Sequence, residues 1–213
     1  MSLQTEAAYK YIKERILDGT YKPSQKLIEA QLSEDVGVSR NTIKKALLML
    51  QRENLVELES NKGATIKSYS MDEIINYLEI REVLEGLVAR NAANKITDAD
   101  LQTLGELMQQ MKQHIEENEF EKYSQLNQKF HEIIYTASKN KPAVELIHII
   151  KNQLSRIQFR TILVPGRNQE SLKEHIRIYE ALQTRNEKEA SAAIEQHIRA
   201  IQKVIVQNYQ FLQ

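Results

Sequence analysis

The chain has 213 residues, room for one large domain or two small ones, and 41% of them are hydrophobic, enough for a packed core. It has no cysteine, which excludes disulfides and thiolate metal sites. No apolar run is long enough to span a bilayer and no secretory signal is visible, so no membrane partner and a cytoplasmic location are expected. Only three prolines and six glycines point to long helices joined by short loops.

The formal net charge is zero, but its distribution is uneven. Residues 1–68 carry 11 lysines and arginines against 9 acids, while the remainder carries 18 against 20. Between positions 36 and 52 stand Arg40, Lys44, Lys45 and Arg52 with no acid among them. Such a patch is what contact with a phosphate backbone needs, although four cations alone also describe an ordinary solvated helix face.

In chain order, Tyr9, Ile12, Ile16 and Leu17 give the first segment a helical period, and Gly19 is placed to stop it. A short helix is expected from about Ile28 to Asp35, broken by Val36-Gly37-Val38. Ser39 suits the N-cap of a second helix, Arg40 to Glu53, with Ile43, Ala46, Leu47 and Leu50 on its apolar face and Asn54 to end it. Leu55 to Glu59 alternates like a strand, Asn61-Lys62-Gly63 reads as a turn, and Ala64 to Lys67 returns. Helix, helix, turn, helix, hairpin is the order of a winged helix-turn-helix.

Beyond Ser68 the pattern is helical throughout. Ser70-x-x-Glu73 predicts a helix to about Asn94, Thr97 one to about Asn118, and Asn118-x-x-Glu121 a third. Lys141-Pro142 starts a fourth, which Val164-Pro165-Gly166 ends. Asn168 is read as the cap of a fifth, and Asn186-x-x-Glu189 as the cap of the last. The fold class is therefore mostly α: a winged helix-turn-helix over 1–68 and an antiparallel helical bundle over 69–213.

In a helix-turn-helix the second helix enters the major groove, so Ser39, Arg40, Asn41, Thr42, Lys44 and Lys45 are the candidate DNA contacts. Arg40 can bind guanine bidentately, Asn41 suits adenine or a phosphate, and the lysines suit phosphates. Lys62 and Gly63 of the wing are placed to reach the minor groove. In the bundle, Asn127 and His131 stand four apart and share a helix face, while His175 and His197 lie on the apolar faces of two other helices. Imidazoles turned inward from three helices suggest a buried divalent metal. A lone histidine on such a face is more often a satisfied core residue; three together shift the balance. His114 and His148 read as surface or packing residues.

Residues 8–67 resemble the winged-helix domain of the GntR family. The likeness rests on Ile16-x-x-Gly19-x-Tyr21-x-Pro23, Leu27, Leu32-Ser33, Val38-Ser39-Arg40, and Ala46-Leu47 followed by Leu50. Ser24 and Asn54 stand where that family usually has glycine, and Lys44-Lys45 where it has Arg-Glu. Residues 72–205 resemble the FadR-type ligand-binding domain called FCD. That likeness rests on Arg81-x-x-Leu84-Glu85, Asn127-x-x-Phe130-His131, Glu174-His175-x-x-Ile178 and His197, and the helix count resembles the six-helix VanR-like branch.

The resemblance implies a DNA-binding transcriptional regulator rather than an enzyme: a homodimer on an operator duplex, controlled by a small organic acid at a metal site. The implied ligands are Asn127, His131, His175 and His197, holding zinc, with nickel or manganese as other candidates. Asn127 stands where many members have aspartate. Arg81 is the candidate carboxylate clamp, unless it merely pairs with Glu85 on the helix surface. Tyr135 and Tyr179 face the histidine side as pocket wall or effector contacts. Repression relieved by effector is the expected sign. Two rivals remain open: a sensor with the ion itself as effector, and a three-histidine metal hydrolase. Against the hydrolase, helical geometry turns Glu132 and Glu174 away from the histidines.

Overall fold

The computed structural model describes residues 2–59 and 63–212. The chain forms two compact units. The first gathers the chain up to Ser70 with Lys151–Ile157, and the second holds Met71–Ile150 and Gln158–Leu212.

In the first unit, α1 (Leu3–Leu17) is capped by the Ser2 hydroxyl, which accepts from the Thr5 amide, and it buries Ala8, Ile12 and Ile16 at helical spacing. Gly19 follows at φ 84°. α2 (Glu29–Val36) ends at Gly37, whose φ of 71° gives the sharp turn expected of it. Ser39 then caps α3 (Arg40–Arg52) through the Thr42 amide, and Ile43, Ala46, Leu47 and Leu50 are buried. Asn54 takes the left-handed conformation at φ 57° and releases the chain into β2 (Val56–Glu59). β2 pairs antiparallel with β3 (Gly63–Ile66), with Val56 opposite Ile66 and Leu58 opposite Ala64.

A two-residue strand that sequence pattern does not disclose, β1 (Lys26–Leu27), adds to the far side of β3 and gives the sheet order β1-β3-β2. Two residues are too few to show an alternation; the strand exists because β3 offers a free edge. The unit's core is Ala8, Ile12, Ile16, Leu27, Leu32, the four α3 residues, Val56, Ala64 and Ile66.

Gly63 is held at φ 89°, and a Cβ there would sit 2.5 Å from the Leu27 carbonyl oxygen. The wing needs this glycine for its own closure. Gly63→Ala is expected to destabilise the first unit by about 1–3 kcal/mol, the cost of left-handed backbone strain, with a displaced β1 strand besides. A lowered thermal midpoint checks this; an unchanged midpoint refutes it.

The second unit comprises α4 (Met71–Ala93), α5 (Asp98–Glu116), α6 (Phe120–Ser138), α7 (Lys141–Thr161, less its first-unit stretch), α8 (Arg167–Gln183) and α9 (Glu187–Leu212). α4 lies along α9, α8 packs on α9 and α5, and α6 packs on α4 and α5. Thr97 forms a full capping box with Asp100, and Asn186 accepts from the Glu189 amide, as their spacing predicts.

Two predicted caps are corrected. Asn118 takes the left-handed conformation (φ 57°) in the α5–α6 turn, and Glu119 occupies the N-cap position of α6. Asn168 lies inside α8, where its amide donates to the Ile162 carbonyl left free beyond the end of α7; Gly166 precedes the helix. In both places an asparagine serves a different backbone group from the one its spacing suggests.

Apolar residues of α4, α5, α6, α8 and α9 fill the centre of the bundle, among them Val88, Ala89, Leu104, Met111, Phe130, Ile134, Ile178, Leu182 and Ile194. Charged and imidazole side chains are buried in this unit too: Arg81, Glu85, His131, Arg167, His175 and His197.

Candidate functional site

In the first unit α3 carries the candidate DNA contacts. Arg40, Asn41, Lys44 and Lys45 are exposed, and none of these cations takes part in an ion pair among the described residues. Ser39 and Thr42 are occupied with each other: their hydroxyls lie 2.9 Å apart and Ser39 also accepts from the Thr42 amide. Lys62 lies outside the described residues.

In the second unit, α6, α8 and α9 bring His131, His175 and His197 to one point. Their ring centroids lie 5.3, 5.3 and 4.9 Å apart, and one nitrogen from each falls within 4.8 Å of the others. His131 Nε2 and His175 Nε2 are 3.3 Å apart. Phe130 stands against His175 at 4.8 Å between ring centroids and closes that side with an apolar edge. The rings converge rather than diverge.

The electrostatics favour neutral imidazole, the form that donates to a metal. Burial pushes the His175 pKa well below its ordinary value, and His197 and Arg167 push it the same way. Burial also lowers His197, although the Glu174 carboxylate beside it works in the opposite direction. Asn127 stands one turn before His131 on α6, and its side-chain oxygen is buried with no hydrogen-bond partner. A buried acceptor left unpaired is costly. Asn127 and His131 share a helix face at i,i+4 spacing, so an unpartnered donor on that face fits the ligand set that the resemblance implies.

Behind the histidines stand two carboxylates. The Nδ1 of His197 lies 2.7 Å from Glu174 Oε2, and Arg167 grips Glu174 with both outer nitrogens, at 2.9 and 2.7 Å. Burial opposes ionisation of Glu174, but its bonds to His197 and Arg167 outweigh this and its pKa is lowered. Glu174 therefore does not point away from the site, as its position on α8 alone suggests: α9 brings His197 to it. Glu132 does lie apart, on the surface, 3.5 Å from His148.

On the other side, Glu85 Oε2 is 3.7 Å from His131 Nδ1, and Arg81 donates through Nε to Glu85 Oε1. Both members of that pair are buried, at 3% and 0% exposure, so Arg81 is not the surface partner that its i,i+4 spacing allows. Burial disfavours its charge, but Glu85 and Tyr135 more than offset this and keep it protonated. Its Nη1 is buried and makes no hydrogen bond.

Tyr135 belongs to the same cluster. Its ring centroid is 6.0 Å from that of His131, and burial together with the Glu85 charge raises its pKa well above normal, so the phenol is neutral. Tyr179 faces elsewhere: its hydroxyl comes within 3.5 Å of where a Cβ on Gly105 of α5 would sit. His114 bonds Glu119 at 2.7 Å in the α5–α6 turn.

Arg167 escapes sequence reading, although a signal is present. It stands seven residues, two helical turns, before Glu174, so the two share a face.

Comparison with known proteins agrees with both halves. Residues 4–66 match the family of bacterial regulatory proteins called gntR, and residues 76–200 match the FCD domain. The chain is 25% identical over 199 residues to the HTH-type transcriptional repressor RspR of Escherichia coli K12, covering 93% of this chain and 87% of that one. It is 28% identical over 219 residues to the HTH-type transcriptional regulator LutR of Bacillus subtilis, covering 89% and 95%. The solved structure of E. coli McbR/YncC superposes with a TM-score of 0.80 at 21% identity, covering 98% and 100%, and shares the fold. No helix among the described residues is long and apolar enough to cross a membrane. The chain belongs to the GntR family, a DNA-binding transcriptional regulator and not an enzyme, in which an FCD effector-binding domain follows the winged helix in sequence.

Proposed function

We propose that this regulator is a homodimeric repressor whose operator affinity is set by a small carboxylate bound beside a divalent metal in the FCD domain. The observation that carries the reading is the convergence of three buried imidazoles, with the unpartnered oxygen of Asn127 one helical turn before His131 on α6. A bound ion, zinc above nickel or manganese, would supply an electrophilic anchor for an anion. Every protein ligand would be neutral, so the ion would keep its charge for the effector. Arg81, whose Nη1 is buried and makes no hydrogen bond, is the second anchor, and the neutral Tyr135, itself bonded to Glu85, stands in the same cluster. The helix count agrees with the VanR-like branch.

The repressor sign is supported by the likeness to RspR, which is named a repressor. Dimerisation is supported by the exposed apolar side chains Ile80 (51%) and Val83 (70%) on α4 and by Leu146 and Ile149 on α7, surfaces a second copy would cover. A second reading has its own support. Three histidines and Asn127 complete a four-donor set without any organic ligand, so the ion alone can serve as effector.

The test is operator binding, with a duplex selected by the purified chain from random sequences. With metal loaded, the correct organic acid is expected to lower affinity roughly 5- to 150-fold. A response to metal with no acid present selects the second reading, and a response to neither refutes both. In the same assay Arg40→Ala is expected to cost about 1–3 kcal/mol and to relax discrimination at one base pair. Lys44→Ala is expected to weaken all sequences alike and to flatten the salt dependence by about one counterion.

A further inference from the structure

We propose that Glu174, clamped by Arg167, is the positioning residue that aims His197 at the metal centre and strengthens it as a donor. The inference rests on the metal reading above and adds to it a second layer of residues. Three features of the site carry it.

The first is tautomeric. Arg167 donates to both oxygens of Glu174, at 2.9 and 2.7 Å, so the carboxylate faces its neighbours as an acceptor. His197 must therefore carry its hydrogen on Nδ1, 2.7 Å from Glu174, which leaves the lone pair on Nε2. A half-turn of the ring would exchange Nδ1 for carbon and lose the bond. The carboxylate thus fixes both tautomer and ring orientation, and it makes the opposite nitrogen more basic.

The second is the rigidity of Glu174 itself. Arg167 holds it bidentately, both side chains are largely buried, and both lie on one face of α8. A forked guanidinium–carboxylate pair fixes direction as well as charge. Backed by this fork, Glu174 cannot swing inward and take the place of a histidine.

The third is the charge balance. Asn127 offers the centre no charge, whereas Glu174 and Glu85 each stand behind one imidazole and each is paired with an arginine, Arg167 and Arg81. The Arg–Glu–His order is repeated on two sides of the cluster, tight at His197 and looser at His131, where the separation is 3.7 Å. The anionic support of the centre sits one shell out from the ligands, and its strongest contact is Glu174.

The test uses the full chain, stripped with chelator and titrated with Zn²⁺ against a competing chromophoric chelator, beside Co²⁺ loading read by visible absorption. Glu174→Ala is expected to lose roughly 10- to 100-fold in Zn²⁺ affinity, as for other outer-layer partners of a ligand histidine, and to alter the Co²⁺ bands. Glu174→Gln keeps an acceptor for His197 but not the charge; it is expected to lose less affinity and to keep the parent's band positions. Glu174→Ala binding Zn²⁺ within twofold of the parent, with the parent's Co²⁺ spectrum, overturns the inference. If Glu174→Ala shows no cooperative melt, Glu174→Gln decides: a clear affinity loss with a parent-like melt supports the inference, and parent affinity overturns it. A parent chain that takes up no ion removes the metal reading, and this inference falls with it.

Discussion

Zn²⁺ at a thousandfold excess over its dissociation constant is expected to stabilise the folded chain by about 4 kcal/mol, because an ion that binds only the folded state adds its binding free energy to folding. For a chain of this size that corresponds to a rise in melting temperature of roughly 8–16 °C. His175→Ala is expected to erase the rise. His175 is fully buried, and its Nε2 is the nitrogen that meets His131 at 3.3 Å, so its loss leaves two imidazoles that no longer surround a point. The variant also opens a void against Phe130, which packs on the His175 ring, and its metal-free midpoint should fall on that account. The informative quantity is therefore the difference between metal-loaded and metal-free melts of each protein. His148→Ala, altering a surface imidazole beside Glu132, should keep the full rise. A parent-like rise in His175→Ala would place the ion elsewhere. No rise in the stripped and reloaded parent would remove the ion altogether.

The parts of this molecule legible in sequence are those decided within a few residues. Ser39, Gly37, Asn54 and Thr97 each act on backbone groups no more than four positions away, and each does in the structure what its spacing predicts. Asn118 and Asn168 have the same local credentials and are used differently. An asparagine side chain suits a left-handed turn, a cap or a stray carbonyl equally, and the neighbouring helix decides among them. The histidine set was legible because each ring lies on the apolar face of its own helix, and packing those faces together had to bring the rings together.

Glu174 was not legible for the complementary reason. Seen on α8 alone it projects away from His175; only the approach of α9 gives it His197 as a partner. Arg81 shows the same limit. Its spacing from Glu85 announces a pair, but burial of the pair comes from the other elements of the bundle. Tyr135 and Tyr179, equal candidates by helical spacing, are separated by the structure: the first joins the histidine cluster and the second packs near Gly105.

Arg81→Met alone is expected to destabilise the protein by about 3–5 kcal/mol, since it takes the guanidinium from a fully buried carboxylate. The paired variant Arg81→Met/Glu85→Met is expected to recover most of that loss, because apolar replacement of both members of a buried ion pair is often neutral or better. Urea midpoints of the parent, the single and the double variant check the stability half. The double variant then separates structure from function. With folding restored, it lacks the guanidinium whose Nη1 is the proposed carboxylate anchor, so its operator binding should no longer respond to the organic acid, while DNA affinity without acid stays near that of the parent. Its metal affinity should fall modestly, since Glu85 stands only loosely behind His131. Survival of the full acid response in the double variant would remove Arg81 from the effector site and leave the metal, with Tyr135 beside it, as the whole of the anion's anchorage.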